Sequence, residues 1–158
     1  MIFPYLPLPT RVAIPSLGGA RVRHRPIISI RLIGPMGSRL YDGCVDSAAD
    51  DTVFPAALAK TLGIDLTNAP QGEAQPVGGL VLRYSYATVV LRLTDGFETY
   101  EWPAVIGFAD LPLRWALLGH AGFLDFFDAE LRGSRREVSF TPNVAFPGQH
   151  TTHRPSTP

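Results

Sequence analysis

Three carboxylates, Asp46, Asp50 and Asp51, fall within the stretch CVDSAADDTVFP, Cys44 to Pro55. Two apolar residues lead into the first acid, and Val53 and Phe54 resume the apolar run just after the third. A charged group entering a core must be paired or hydrogen-bonded, so an acid at the end of a core strand calls for a reason. Two chemistries suit this pattern. A carboxylate at a turn accepts backbone N–H bonds and caps the turn. Alternatively, two carboxylates that share one proton form a general acid and a general base. Other chemistries have little to work with. Cys44 is the single cysteine, which excludes an intrachain disulfide and sets cysteine-ligated zinc aside. The four histidines are scattered, two of them near the C-terminal end, so neither a metal site nor a cofactor is expected.

The elements around these acids read mainly as strands. Residues 1–24 contain Pro4, Pro7, Pro9 and Pro15. Proline cannot donate to a ladder, so this segment reads as an extended arm with at most an edge strand around RVAI. RPIISIRLIG reads as a strand, PMGS as a turn and RLYDGCVD as the returning strand that delivers Asp46. PAALAKTLG, with proline at its start and glycine at its end, predicts a short helix. LVLRYSYATVVLRL alternates β-branched and aromatic residues with polar ones, the strongest strand signal in the chain. FETYEWPAVIGF, the short apolar WALLG, a helical turn in HAGFLDFF and a hairpin around Gly133 and Ser134 follow. GQHTTHRPSTP carries no core signal and is expected to be disordered. Short strands with one or two short helices indicate an all-β barrel or sandwich.

Composition narrows the function. With 158 residues, 46% of them hydrophobic and 18% charged, the chain reads as one globular domain. Its formal net charge is zero and Arg21 to Arg25 is its densest basic cluster, which argues against nucleic acid as a partner. No apolar run approaches membrane-spanning length, and prolines interrupt any signal-peptide core at the N-terminus. A cytoplasmic protein with no membrane partner is the expectation.

Four features occur in a fixed order: an apolar strand into Asp46-Ser47-Ala48, the run Ala49-Asp50-Asp51-Thr52-Val53-Phe54, the pair Gly78-Gly79 in a hairpin-like segment, and Ala116-Leu117-Leu118-Gly119 before a helical turn. Together they resemble the retropepsins, the single-domain retroviral-type aspartic proteases, and their bacterial relatives, over about residues 26 to 142. The resemblance implies a closed antiparallel β barrel of the retropepsin (acid protease) type, an arm over 1–24, a domain over 25–142 and a disordered tail over 143–158. It also implies an aspartic endopeptidase that cleaves a peptide or protein substrate. With a single Asp-Ser-Ala per chain, the catalytic pair would be Asp46 from each half of a homodimer, sharing one proton.

The resemblance assigns roles to the neighbours. Ser47 would set its hydroxyl against the partner's backbone and, with Ala48, support the active-site loop. Ala48 stands where the family usually has glycine; its methyl group crowds the loop if φ is positive and fits if φ is negative. Ala49, Asp50 and Asp51 would face substrate, with turn capping as the alternative for the two acids. Gly78 and Gly79 would form the tip of a flap that closes over the cleft, with a plain hairpin turn as the alternative. His120 replaces the family's usual arginine, which pairs with the first of the two acids, so that pairing becomes pH-sensitive or is lost. A catalytically inactive dimeric module that binds peptides or proteins is the second reading. A small β-sandwich interaction domain with a structural Asp46 is the third, and it leaves the order of the motifs unexplained.

Overall fold

The computed structural model describes residues 1–74 and 81–153. The chain is mostly β, with a single α-helix among the described residues. In chain order the strands are β1 (Ile2–Pro4), β2 (Leu6–Ile14), β3 (Ala20–Arg25), β4 (Ile27–Gly34), β5 (Gly37–Val45) and β6 (Val53–Pro55). The helix α1 (Ala56–Leu62) follows, and then β7 (Gln71–Ala74), β8 (Leu82–Thr94), β9 (Glu98–Ala109) and β10 (Ala116–Leu118). The last three are β11 (Phe127–Arg132), β12 (Glu137–Pro142) and β13 (Gln149–Thr152). No helix among the described residues is long and apolar enough to cross a membrane.

Eight strands form the main sheet in the order β13-β9-β6-β10-β5-β4-β8-β7, and β8 also pairs with β9. The pairings therefore run round a ring: β9, β6, β10, β5, β4, β8 and back to β9. The sequence predicts mainly antiparallel pairing, and most pairings are antiparallel, but two are not. β10 runs parallel to β5, and β6 runs parallel to β9. The reason lies beside the acids. β5 and β6 are consecutive strands but are not neighbours, because the loop between them swings them apart and β10 fills the gap. Such a crossing pairs residues about 70 apart, and local periodicity does not encode it.

Side-chain alternation fills the interior of the ring. Ile28, Ile30 and Leu32 of β4 are buried while Ser29 faces solvent. Tyr100, Trp102, Ala104 and Ile106 of β9 are buried while Pro103 and Val105 are exposed. Trp102 is fully buried and its indole N–H donates to the Gly122 carbonyl, 3.0 Å, so the ring gains burial without an unpaired donor. At seven residues, α1 is too short to be stable alone. It is held by Leu58, Ala59 and Leu62 against the core and is stopped by Gly63, whose φ of 70° is the left-handed conformation of a helix C-cap.

The two ends of the chain are more ordered than their composition suggests. β1 pairs with β12, which also pairs with β11, giving a three-stranded sheet, and β2 pairs with β3 in a sheet of their own. The arm thus holds more than the edge strand expected around RVAI. Pro7 and Pro9 fit because a two-stranded sheet leaves one side of each strand without ladder bonds. β13 pairs with Glu98–Glu101 of β9, so residues 149–152 of the expected disordered tail form a strand. All four are exposed, and backbone bonding to the open side of β9 supplies what side-chain burial does not.

Candidate active site

The site is built where β5 ends. Leu117 and Leu118 of β10 lie beside Cys44 and Val45, and the Leu118 carbonyl accepts from the Asp46 N–H at 3.1 Å. The chain then turns: the Ala49 N–H donates to the Asp46 carbonyl at 3.2 Å, and the Ala48 N–H donates to Asp46 Oδ1 at 3.0 Å. Asp46 is half-buried, while Ser47 and Ala48 are exposed. Arg136 is the one non-glycine residue with positive φ among the described residues, so Ala48 keeps a φ that accepts its methyl group. The substitution for glycine is therefore free of backbone strain here.

A second crossing fixes the rest of the loop. His120 N–H donates to the Ala49 carbonyl (2.9 Å), Ala121 N–H to Asp50 (2.8 Å) and Thr52 N–H to Ala121 (3.0 Å). Thr52 is fully buried, its hydroxyl directed at the Gly119 carbonyl 3.4 Å away. Gly119 is the contact point: a Cβ there would meet the Ala49 carbonyl oxygen at 2.6 Å and press still closer on that of Asp51. Only glycine lets the two backbones approach this closely. Its place in the apolar triplet-plus-glycine motif is legible in the sequence; its reason is tertiary.

Asp46, Ala48, Ala49, Asp50 and Asp51 line one cleft of about 380 Å³, together with Val53, Glu73, Ala74, Leu82, Tyr84 and Leu117. Five of the site residues read from the sequence thus share one concavity. Ser47 is not among the lining residues, and Gly78 and Gly79 lie outside the described residues. Among the described residues, the ionisable groups that line the cleft are four carboxylates and the Tyr84 phenol, with no basic side chain.

Asp51 is not left free to receive a ligand. Its Oδ2 accepts from Tyr84 Oη at 2.6 Å and from Tyr86 Oη at 2.8 Å, and the two rings meet edge to face. Burial, followed by the bond to Asp51, pushes the pKa of both phenols above the ordinary tyrosine value. Tyr84 and Tyr86 are site residues that sequence reading missed. Their alternation in RYSY puts both rings on one face of β8, but only the fold brings that face to residue 51.

His120 also finds a partner other than the expected acid. Its Nε2 lies 3.1 Å from the Ser47 carbonyl and its Nδ1 3.7 Å from Asp125 Oδ1. A carbonyl only accepts, so Nε2 carries the proton and donates. The imidazole thus braces the loop that carries Asp46 and leaves Asp50 exposed, with no ion-pair partner among the described residues. Burial raises the Cys44 thiol pKa, opposed by the nearby Arg25 and reinforced by Asp46. That cysteine is a poor nucleophile.

No protein-family model matches the chain, and no curated protein matches it.

Proposed function

We propose that the protein is a retropepsin-like aspartic endopeptidase that works as a homodimer. The ring of six strands reads as a closed barrel of that type, and β7 with the start of β8 as the flanks of a flap. The observation that carries this reading is the double crossing: backbone bonds from Leu118 to Ala121 clamp the Asp46–Thr52 loop and hold one carboxylate at the mouth of an apolar cleft. A lone carboxylate is simply ionised near neutral pH, whereas two held about 3 Å apart share a proton. In the dimer, the ionised Asp46 takes a proton from water as the water oxygen bonds to the peptide carbonyl carbon. The protonated Asp46 of the second copy gives its proton to the carbonyl oxygen. The tetrahedral diol then collapses: one hydroxyl returns its proton to the ionised carboxylate as the carbonyl re-forms, the C–N bond breaks, and the amine leaves with the proton held by the other carboxylate, which restores the single shared proton.

Activity should be highest on the acid side and fall toward neutrality, because raising the pH removes the shared proton. The test is cleavage of a peptide library between about pH 4 and 7, spanning carboxylate titration, by wild type and Asp46→Asn. Cleavage by wild type that Asp46→Asn abolishes, in protein of unchanged fold and dimeric state, supports the proposal. Cleavage that persists in pure Asp46→Asn protein refutes it. Absence of cleavage by a wild-type dimer selects the second reading, a module that binds peptides without cutting them. The hydrogen bond from Ala48 N–H that already occupies Asp46 Oδ1 is the feature that favours this alternative.

A further inference from the structure

The charge of this chain is unevenly distributed along it. The β2–β3 hairpin carries Arg11, Arg21, Arg23 and Arg25, four of the fourteen basic residues, and no acid. The other ten basic residues share the rest of the chain with all fourteen acids, which leaves that body with an excess of four acids. Net zero charge is therefore the sum of a cationic hairpin and an anionic body.

The hairpin is also structurally apart. Its strands pair with each other and with no other strand among the described residues. Arg21, Arg23 and Arg25 alternate along β3, so they stand on one of its faces, and all three are exposed. Leu6 and Leu8 lie opposite Arg25 and Arg23 in the ladder and add apolar area between the charges. Val22 and His24 point the other way and are half-buried, with His24 Nε2 3.1 Å from Arg136 on the body. None of the four hairpin arginines forms an ion pair among the described residues. Arg25, at the base of the hairpin, lies over the Trp115 ring of the body, 5.9 Å from its centroid, which leaves Arg21 and Arg23 as the outward charges of that face. A lone two-stranded hairpin is at best marginally stable in water, so a ribbon with one face on the body and a cationic, partly apolar outer end is suited to a second surface.

We propose that this outer face is a clasp that grips the anionic body of a second copy of the same chain. Charge complementarity names the partner: each hairpin's excess of four positive charges is matched by one body's excess of four negative charges, and a two-fold pair satisfies both reciprocally. Asp110 at the end of β9 and Asp128 of β11 are exposed acids outside the cleft and without a cationic partner among the described residues. Continuity adds to this. The hairpin joins β4 through Pro26, whose carbonyl accepts from Val45 N–H at 2.9 Å, so its base sits one residue from Asp46. In the proposed homodimer that is where the two copies meet. The clasp rests on that reading in taking the second copy as partner and in placing the meeting of the copies at Asp46, and it lies outside the region that resembles the proteases.

The experiment is sedimentation equilibrium on the full chain as wild type, Arg21→Glu/Arg23→Glu, Arg21→Lys/Arg23→Lys and Asp46→Asn. Folding is checked for each by its urea midpoint. Reversal sets like charges against each other, so the double Glu variant should dimerise about tenfold or more weakly. The Lys variant and Asp46→Asn, which keep the hairpin's positive charges, should match wild type, and added salt should weaken these three dimers but not the Glu variant's. Unchanged dimerisation by the Glu variant overturns the clasp; if that variant still cleaves peptide, the protease reading survives on its own. A weakened dimer alongside a wild type that never cleaves keeps the clasp and sinks the protease. Wild type that stays monomeric overturns both. The same four proteins are passed over duplex DNA and anionic phosphatidylserine vesicles. Tight wild-type binding to either, lost in the Glu variant while dimerisation is unaffected, assigns the face to a polyanion instead and refutes the clasp.

Discussion

Gly119→Ala tests whether the close backbone crossing positions Asp46. The added methyl group meets the carbonyl oxygens of Ala49 and Asp51, both backbone atoms, so no side chain can swing aside. Overpacking of this kind costs about 1–3 kcal/mol. Forcing the crossing apart also stretches the bonds from His120 N–H to Ala49 and from Ala121 N–H to Asp50, each worth about 1 kcal/mol. A loss of about 3 kcal/mol corresponds to a melting temperature lower by roughly 6–12 °C for a chain of this size. That leaves a protein of ordinary stability, about 5–15 kcal/mol, still folded. Activity should suffer more, because a shift of about 1 Å in the loop costs on the order of 100-fold in rate. Thermal melts and peptide cleavage are measured beside Gly133→Ala, a control with open space where its methyl group would sit. The control should stay within about 0.5 kcal/mol of wild type. Gly119→Ala that melts and cleaves like the control would refute the claim that this crossing holds the site.

Tyr84→Phe and Tyr86→Phe each remove a donor to Asp51. The folded-state pKa of Tyr84 is raised, so its stabilising contribution is complete below the unfolded value of about 10 and declines as the pH rises above it. The urea-midpoint gap between wild type and Tyr84→Phe should therefore be constant near neutrality and shrink in alkali; a gap independent of pH counts against the pairing. His120→Ala should lower kcat about tenfold with little change in KM, whereas His120→Gln, which keeps an N–H donor to the Ser47 carbonyl, should retain more activity. Equal losses in the two variants would show that the ring does not brace the loop. Trp102→Phe leaves the Gly122 carbonyl unpaired and opens a void, so stability should fall by about 2–4 kcal/mol in urea titrations. A loss under about 1 kcal/mol would mean that the core relaxes around the change.

Taken alone, the sequence determined the strands of the ring other than the three-residue β6, the limits of α1 and the gathering of acids after β5. These are local properties: alternation along β4, β8 and β9 is written in residues two apart, and Pro55 and Gly63 bound the helix by their own backbone preferences. The order of the loop acids, the apolar triplet and Gly119 was legible too, because each lies within a few consecutive residues. Tertiary structure decided what those residues meet. Asp51 is held by tyrosines 33 and 35 positions away, and His120 reaches a carbonyl 73 positions away. The pairing of β9 with both β8 and β6 decides the first contact and the parallel entry of β10 between β5 and β6 the second, and no local pattern marks either. β13 shows the opposite limit. Its four exposed residues carry no burial signal, and the strand exists because β9 offers it an open row of backbone donors and acceptors.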